Sequence, residues 1–571
     1  MARSYLPVNR DQPVFLPENM LDWVPKDHVV RLVIDTVEAV ATPELTARLV
    51  PAVRSRKGRR RYDPVMLLSL LTYAYLRGVL ATRAMEDRCR HDVTFRVACG
   101  QHVPDHATIS RFRQRAFAQD ELMEDLFYQV LFTCAAAGLG RLTVVAGDGV
   151  KIAANASKEA NRTEAGLEKL AGQVIAAARA AAGAEESGQD APAGTGLLDC
   201  PALPAGWRDP RSRAGRVRAA LADLRAERAA AEAAARAAGQ AYLDALAAGT
   251  ASGRPPAAVA VAAQQIRLDQ AVAAQQAAVD EHTARIAAGA GSRAGRRPRP
   301  AGDAPAVRQA RARLEELTTR AAAEVHAAAQ ASGEGETNKE PQPVRNLTDP
   351  DSRLMPVRGG GFIQGYNCQD AAADDRLMPG GYACQDTGDV RQAKQLDQIT
   401  ARGAAVVTAG HAAHASDPVL LRRCHDRMCT SPGKTGAGHD DAACHAAMTG
   451  GIGVIVKDAG YYSEENITAP GPDRLTATGK RRDLDKQARQ DPAEGPPPGD
   501  AGPAQANDWR LRTPEGRAAY KRRAPDVEGL HASLKDRAGL RRFSLRGLGN
   551  ATSEFLLAGI AHNLLLLGSV T

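Results

Sequence analysis

The chain has 571 residues, a formal net charge of +8 and a sequence pI near 9.0. That length allows three or four domains and a large core. The basic balance favours a polyanionic partner, although the charge is modest for the length and its distribution matters more than its total. Met1-Ala-Arg-Ser-Tyr-Leu-Pro7 carries no apolar signal core, and no uninterrupted apolar run reaches membrane-spanning length. Nine unevenly placed cysteines do not resemble a secreted disulfide framework. These features point to a soluble, cytosolic protein. Aromatic residues are only 4% of the chain, so part of it is expected to be Ala-rich helix rather than packed globule.

Residues 1–138 read as a compact helical domain. Asp27-His28 precedes an amphipathic helix beginning Val29-Val-Arg-Leu-Val-Ile. A basic run, Arg54-Ser-Arg-Lys-Gly-Arg-Arg-Arg61, follows. Asp63 and Pro64 then supply an N-cap and a first-turn proline for the helix Val65 to Leu76. Gly78 ends it and Thr82 is expected to cap the next. Asp105 opens a short helix in which Arg111, Arg113 and Arg115 stand close together. Short helices joined by tight turns, one of them Arg-rich, suit a helix-turn-helix-like reader of double-stranded DNA, with these three arginines as its contacts. A plain helical bundle with a solvated arginine face fits equally well.

A further helix, Leu122 to Leu139, leads into Leu142-Thr-Val-Val-Ala-Gly-Asp-Gly-Val-Lys-Ile152. The run is beta-branched, short and apolar, as a buried strand would be. It holds one carboxylate, Asp148, between Gly147 and Gly149. A buried carboxylate needs a partner or a metal, while Gly-Asp-Gly alone also suits a bend between two strands. Residues 139–158 are therefore expected to begin an α/β core. Residues 159–345 change composition: Arg216 to Ala248, Ala257 to Ala288 and Ala304 to Ala331 are Ala/Arg/Glu/Gln-rich segments of high helix propensity separated by Gly and Pro. They predict a coiled-coil-like helical insertion; a largely disordered insertion is the alternative.

The core is expected to resume over 346–571. Arg353-Leu-Met-Pro356 and Tyr366-Asn-Cys-Gln-Asp370 echo in Arg376-Leu-Met-Pro379 and Tyr382-Ala-Cys-Gln-Asp386, which predicts two neighbouring strands, Phe362 to Ala373 and Gly380 to Asp386. A helix, Val390 to Arg402, follows. Cys424, His425, Cys429, His439, Cys444 and His445 lack zinc-ligand spacing, so 410–446 reads as a loop with scattered thiols. Pro432-Gly-Lys-Thr435 ends like a phosphate-binding loop, but Met428 stands where the leading glycine belongs, and the motif is rejected.

A second strand ends in an acid at Gly451-Ile-Gly-Val-Ile-Val-Lys-Asp458. Neighbouring strands can bring two such carboxylates together, and a divalent cation can neutralise the pair. Asp386 and Asp389 compete for the role of second acid, but neither closes so apolar a strand. A third acid, Glu528, shares a predicted helix face with Ala532 and Lys535. Thr513-Pro514 is expected to open one helix and Pro525 the next. From Leu511 to Arg546 ten Lys/Arg stand against four Asp/Glu, so the acid lies in a basic surface suited to a phosphodiester. An ordinary salt-bridged helix face is the alternative.

These residues resemble the DDE transposases of bacterial insertion sequences. Asp148-Gly-Val-Lys-Ile-Ala-Ala-Asn-Ala-Ser157 looks like the first-acid strand, and Lys457-Asp-Ala-Gly-Tyr-Tyr-Ser-Glu-Glu-Asn466 looks like the second-acid motif. Tyr520, Arg523, Glu528 and Lys535 match the Tyr-Arg-Glu-Lys signature around the third acid. Thr348-Asp-Pro-Asp-Ser-Arg-Leu-Met355, Ala477-Thr-Gly-Lys-Arg-Arg482, Arg541-Arg-Phe-Ser-Leu-Arg-Gly547 and Ala561-His-Asn-Leu564 also match. The resemblance covers both ends and is weakest at about 160–340 and 405–450. It implies an α/β fold: an RNase H-like mixed-sheet catalytic core, interrupted by a helical insertion and preceded by an all-α DNA-binding domain. Asp148, Asp458 and Glu528 would hold two Mg²⁺ ions, with Mn²⁺ as a substitute, for cleavage and strand transfer. Tyr520, Arg523 and Lys535 would grip the DNA backbone. The partners implied are element ends and target DNA, and a homodimer on paired ends. No membrane and no nucleotide cofactor is implied, and the location is cytoplasmic, on the nucleoid when DNA is bound. The competing readings are an inactive or domesticated copy that only binds DNA, and an RNase H-like nuclease that cuts without joining.

Overall fold

The computed structural model describes residues 18–50, 61–119, 121–181, 212–251, 253–289, 296–331, 343–357, 360–415 and 451–570. The chain divides into two units, one of residues 1–160 and 348–571 and the other of residues 161–347.

The first unit begins with seven helices: α1 (Val29–Val40), α2 (Pro43–Leu49), α3 (Pro64–Leu76), α4 (Thr82–His91), α5 (Val93–Ala98), α6 (His106–Phe117) and α7 (Leu122–Ala136). Side chains satisfy the amides that helix starts leave open. Asp63 Oδ1 accepts from the amides of Val65 (2.7 Å) and Met66 (3.0 Å), and Asp105 Oδ1 accepts from Thr108 N at 2.9 Å. Thr82 departs from expectation. It is the first residue of α4, and Ala81 holds the cap position without a side-chain bond. Helix α3 is apolar on every side and buried from Leu67 to Leu76, so it forms the centre of this bundle rather than its rim.

Strand β1 (Val144–Ala153) is unbroken through Asp148, so Gly147-Asp-Gly149 is strand and not a bend. The glycines have a packing reason. A Cβ on Gly149 would sit 2.6 Å from Asp389 Oδ1 and 2.7 Å from Gln369 Nε2.

The second unit holds the hairpin-like pair β2 (Asn161–Thr163) and β3 (Val344–Asn346), which are antiparallel. Between them run α8 (Glu164–Ala181), α9 (Arg213–Ala247), α10 (Ala257–Ala287) and α11 (Pro305–Ala331). Their apolar seams are thin. Leu167, Leu221 and Leu224 bury one, and Leu268 with Val307 another. Ion pairs from Arg225 and Arg228 to Glu164 and Glu168 line the first seam. Close approach takes the place of bulk where α9 meets α10: a Cβ on Gly239 would stand 2.7 Å from Ala263 N.

The first unit resumes with β4 (Arg353–Pro356), β5 (Phe362–Ala372), β6 (Gly380–Cys384), α12 (Ala393–Ala415), β7 (Val454–Lys457), α13 (Glu464–Thr468), β8 (Arg474–Thr476), α14 (Arg481–Gln490), α15 (Pro503–Arg512), α16 (Pro514–Ala532) and α17 (Leu548–Val570). The sheet runs β4-β5-β1-β7-β8, with β6 also on β5. Strand β1 is antiparallel to β5 and parallel to β7, and β7 is parallel to β8. The fold is thus mixed α/β. The helix expected at Val390 to Arg402 is a short 3₁₀ turn followed by α12, which runs on to Ala415 and so takes in the start of the expected loop. The remainder of the Cys/His segment from Cys424 to His445, Pro432-Gly-Lys-Thr435 and residues 54–60 of the basic run lie outside the described residues.

Helix α16 also departs from expectation: it passes through Pro525 without a break. Proline removes one i→i−4 bond and normally kinks a helix, but here buried Asp526, Val527 and Leu530 hold the following turns on the core. The register then changes in a π turn, Ser533–Arg537, where Ala538 N bonds Ser533 O at 2.9 Å. A π turn widens the spacing, so the strict helical stacking of Glu528 above Lys535 does not carry through.

Helix α17 is the one helix among the described residues long and apolar enough to cross a membrane, and 72% of its apolar window is buried inside the protein. The matched motifs around it are architectural. Asp349 accepts from Tyr366 Oη at 2.9 Å and from Gly547 N at 3.1 Å, and Asp351 Oδ2 accepts from Leu548 N at 2.9 Å, tying the start of α17 to the sheet. Asn563 pairs both ways with the Met378 backbone at 3.0 Å.

Candidate active site

Register places the first acid. Asp148 lies on β1 opposite Asp370 of β5, and β1 continues alongside β7, whose last residue Lys457 precedes Asp458. Asp458 caps a 3₁₀ turn, Ala459–Tyr461, its Oδ1 accepting from Gly460 N at 2.8 Å. Two apolar strands thus deliver two carboxylates to one end of the sheet. Burial and then the charge of Asp148 push the Asp458 pKa above the usual carboxylate value, with Arg523 opposing.

Arg523, from α16, stands between them. Its Nη1 donates to Asp148 Oδ2 at 2.8 Å, with side-chain exposures of 15% and 22% for the two partners. Burial works against the guanidinium charge, but Asp148 and Asp458 outweigh it and hold the cation protonated. Tyr520, one turn earlier, lies half-buried beside Arg523, and burial pushes its phenol pKa up.

Glu528 lies on the same helix but is exposed, and makes no hydrogen bond or ion pair among the described residues. No group of three or more His, Cys, Asp and Glu among the described residues stands close enough to hold a metal ion. Asp148 and Asp458 are therefore together, and Glu528 is on the adjoining helix, outside their contact. Lys535 falls in the π turn, half-buried, and burial lowers its pKa.

Of the three arginines on α6, Arg111 is exposed and Arg115 reaches Leu49 O at 3.4 Å. Arg113 requires a correction. It is buried and its Nη1 donates to Leu80 O at 2.8 Å, so it ties α6 to the loop before α4 rather than facing solvent beside its neighbours. Positions two apart on a helix point to different sides.

Several residues of this region escaped the sequence reading. Asp370 is fully buried, and His531 Nε2 donates to both its oxygens at 3.0 Å. Burial pulls the His531 pKa down, but Asp370 outweighs it and the net shift is upward. Beneath β7, buried Asp397 pairs with Lys457 and, at 2.6 Å, with Arg474 Nε. Buried Tyr461 donates its hydroxyl to Gln369 Oε1, and Asn367 and Gln369 each donate to Asp389 Oδ1 at 2.8 Å. Of the competing acids, Asp386 accepts from Gln392 and Asp389 faces the Asp458 turn. The only sequence signal for these was the repeated Cys-Gln-Asp, which gave strands but not contacts.

The donor set is chemically suited to a hard divalent cation, being carboxylate oxygen throughout. Arg523 already supplies positive charge between Asp148 and Asp458, as a stand-in for one. Asp148 and Asp458 offer the donor chemistry of such an ion, but among the described residues no third acid, histidine or cysteine stands with them to complete a site.

Two family models match the chain: "Transposase domain (DUF772)" over residues 18–115, and "Transposase DDE domain" over residues 501–567. No curated protein and no solved structure matches it. One match covers α1 to α5 and most of α6, which carries Arg111, and the other covers α15, α16, which carries Arg523, and most of α17. Together the two matches support a DDE transposase of the insertion-sequence type.

Proposed function

We propose that the chain binds the ends of an insertion sequence and catalyses metal-dependent phosphodiester hydrolysis and strand transfer. The observation that carries this reading is the convergence of Asp148 and Asp458 on adjoining strands with Arg523 between them. Asp148, Asp458 and Glu528 are the residues that would hold two Mg²⁺ ions, or Mn²⁺. Such ions supply activation of the attacking oxygen and stabilisation of the leaving one in an in-line displacement. Glu528 is included as third acid by its match to the Tyr-Arg-Glu-Lys signature, and it stands apart from the pair in this structure. Arg523 then has a second role: released from Asp148, it and Tyr520 hold a non-bridging phosphate oxygen and orient the backbone for attack. Lys535 and the neighbouring arginines neutralise flanking phosphates.

The sheet order, with antiparallel β5-β1 beside parallel β1-β7-β8, supports an RNase H-like core built from residues 139–158 and 346–571 and interrupted by 159–345. The helices of residues 1–138, with Arg111 exposed on α6, are the proposed reader of the element ends. Joining two ends makes a homodimer the working assembly.

The test is strand transfer. A labelled duplex of the element's own terminal sequence is incubated with the protein, Mg²⁺ and a supercoiled plasmid. Joined product supports the full reading. Cleavage without joining selects a nuclease, and end-specific binding with neither selects a DNA-binding protein that lacks catalysis.

A further inference from the structure

The motif Ala477-Thr-Gly-Lys-Arg-Arg482 starts at the acid end of the sheet and runs into a helix that the site described above does not use. Strands β7 and β8 are parallel with Lys457 opposite Thr476, and Ala477 N donates to Lys457 O at 3.1 Å, the carbonyl that precedes Asp458. Thr478, Gly479 and Lys480 then lead into α14. Three residues reach at most roughly 10 Å, so α14 begins close to the Asp458 turn, on its β8 side. Helix α16, which carries Tyr520 and Arg523, packs instead on β1 and β7.

Helix α14 has two unlike faces. Leu484 and Ala488, at i and i+4, are buried. Away from them Arg482, Lys486 and Arg489 stand exposed at i, i+4 and i+7, one stripe on the outer face. Seven residues of helix rise roughly 10 Å, the length over which one DNA strand presents about three phosphates. Residues 480–490 hold five Lys/Arg against two Asp. The neighbouring arginines are committed to carboxylates: Arg474 to Asp397 at 2.6 Å, Arg510 to Asp473 at 2.5 Å, and Arg512 to Asp491 and, at 3.3 Å, Asp508. The three stripe cations have no ion-pair partner among the described residues, Asp483 and Asp485 included. Like charges one turn apart repel, so the stripe does not serve the stability of its own helix.

We propose that Arg482, Lys486 and Arg489 form the surface that receives the target duplex, holding its phosphates while the element end lies on α16. The proposal rests on the transposase reading above and deepens it. Strand transfer brings a second duplex to the acids. The α16 side of Asp458 is assigned to the element end, and α14 offers a basic face on the β8 side. Side chains that supply charge alone hold a backbone and read no bases, which suits a target of any sequence.

The test uses the full chain as wild type, as the triple variant Arg482→Gln/Lys486→Gln/Arg489→Gln, and as the charge-preserving control Arg482→Lys/Arg489→Lys. Thermal melts establish that each is folded. Fluorescence anisotropy with a random-sequence duplex, over a series of salt concentrations, gives the affinity and its salt slope. Cleavage of the element's own end and joining to a supercoiled plasmid are scored in parallel. The triple variant should bind the random duplex about tenfold or more weakly and lose about 2–3 from the slope of log K against log salt. It should cleave ends at the wild-type rate and join them about tenfold less, and the lysine control should match the wild type throughout. Wild-type affinity, slope and joining in the triple variant overturn the role of α14 alone. End cleavage that falls in parallel with joining gives α14 to the element end and overturns the target assignment. A wild-type chain that binds the random duplex but neither cleaves nor joins overturns the transposase reading and the target assignment together, so the cleavage assay keeps the two failures apart.

Discussion

Replacing Arg523 with Gln removes the one cation that the structure places between Asp148 and Asp458. The pair is partly buried, with side-chain exposures of 15% for Arg523 and 22% for Asp148. Breaking a fully buried pair costs about 3–5 kcal/mol and an exposed pair about 0.2–1 kcal/mol, so a loss of about 2–3 kcal/mol is expected at pH 8. The pH dependence follows from Asp458. Its pKa is already raised by burial and by Asp148, and Arg523 is what holds it down. Without Arg523 it rises further above the unfolded value. A raised carboxylate pKa contributes stability that is present below the unfolded pKa and lost as pH rises through the folded one. The deficit of the variant should therefore be largest at pH 7–8 and shrink as pH falls toward 4. Urea denaturation of wild type and variant across that range measures it, and added Mg²⁺ should restore part of the loss at pH 8. A deficit independent of pH, or one that Mg²⁺ leaves untouched, would refute the reasoning.

Gly149→Ala places a methyl group 2.6 Å from Asp389 Oδ1 and 2.7 Å from Gln369 Nε2; the overpacking should cost about 1–3 kcal/mol in urea unfolding, and unchanged stability would mean that these side chains move aside freely. Glu554 is fully buried, accepting from Tyr75 Oη at 2.7 Å and Ser544 N at 2.8 Å. Glu554→Ala should cost about 3 kcal/mol in urea unfolding, and a loss under about 1 kcal/mol would show that the packed helix α17 tolerates the orphaned donors. Burial pushes the Asp526 pKa up to about 6, with Arg522 opposing and Asp374 adding to the rise. Its stabilising contribution is present below pH 4 and lost as pH rises through about 6. Asp526→Asn should thus be more stable than wild type by about 2–3 kcal/mol at pH 8 and equal to it below pH 4, and a variant less stable at pH 8 would contradict the assignment.

What was legible in the sequence had strong local causes. Asp63-Pro64 announces α3 because the cap and the fixed proline φ act within four residues, and the Ala-rich runs announce α9 to α11 because propensity accumulates over their length. The beta-branched runs located β1 and β7, and with them Asp148 and Asp458. What was not legible depends on tertiary contact. The Gly-Asp-Gly turn signal was overridden because Gly149 is needed for the approach of Asp389 and Gln369. Pro525 signals a helix start locally, but packing of Val527 and Leu530 carries α16 through it. Arg113 was grouped with its exposed neighbour Arg111, but the two-residue offset turns it to the buried face of the helix, where it meets the Leu80 carbonyl. Asp389, weighed as a rival to Asp458, instead lies near it beyond the end of β6, where Asn367 and Gln369 of β5 donate to its carboxylate, a contact made only in the folded chain.

The most direct test of the central claim is single-turnover cleavage of a labelled duplex carrying the element's own end, in Mg²⁺, by wild type, Asp148→Asn, Asp458→Asn and Glu528→Gln. Metal-dependent nicking at the element end, reduced by about a hundredfold or more in each variant while end binding persists, is the predicted result. The inclusion of Glu528 is decisive because it stands apart from the two aspartates in this structure. Wild-type cleavage by Glu528→Gln would contradict the three-acid site, and cleavage that survives Asp148→Asn would contradict the assignment as a whole.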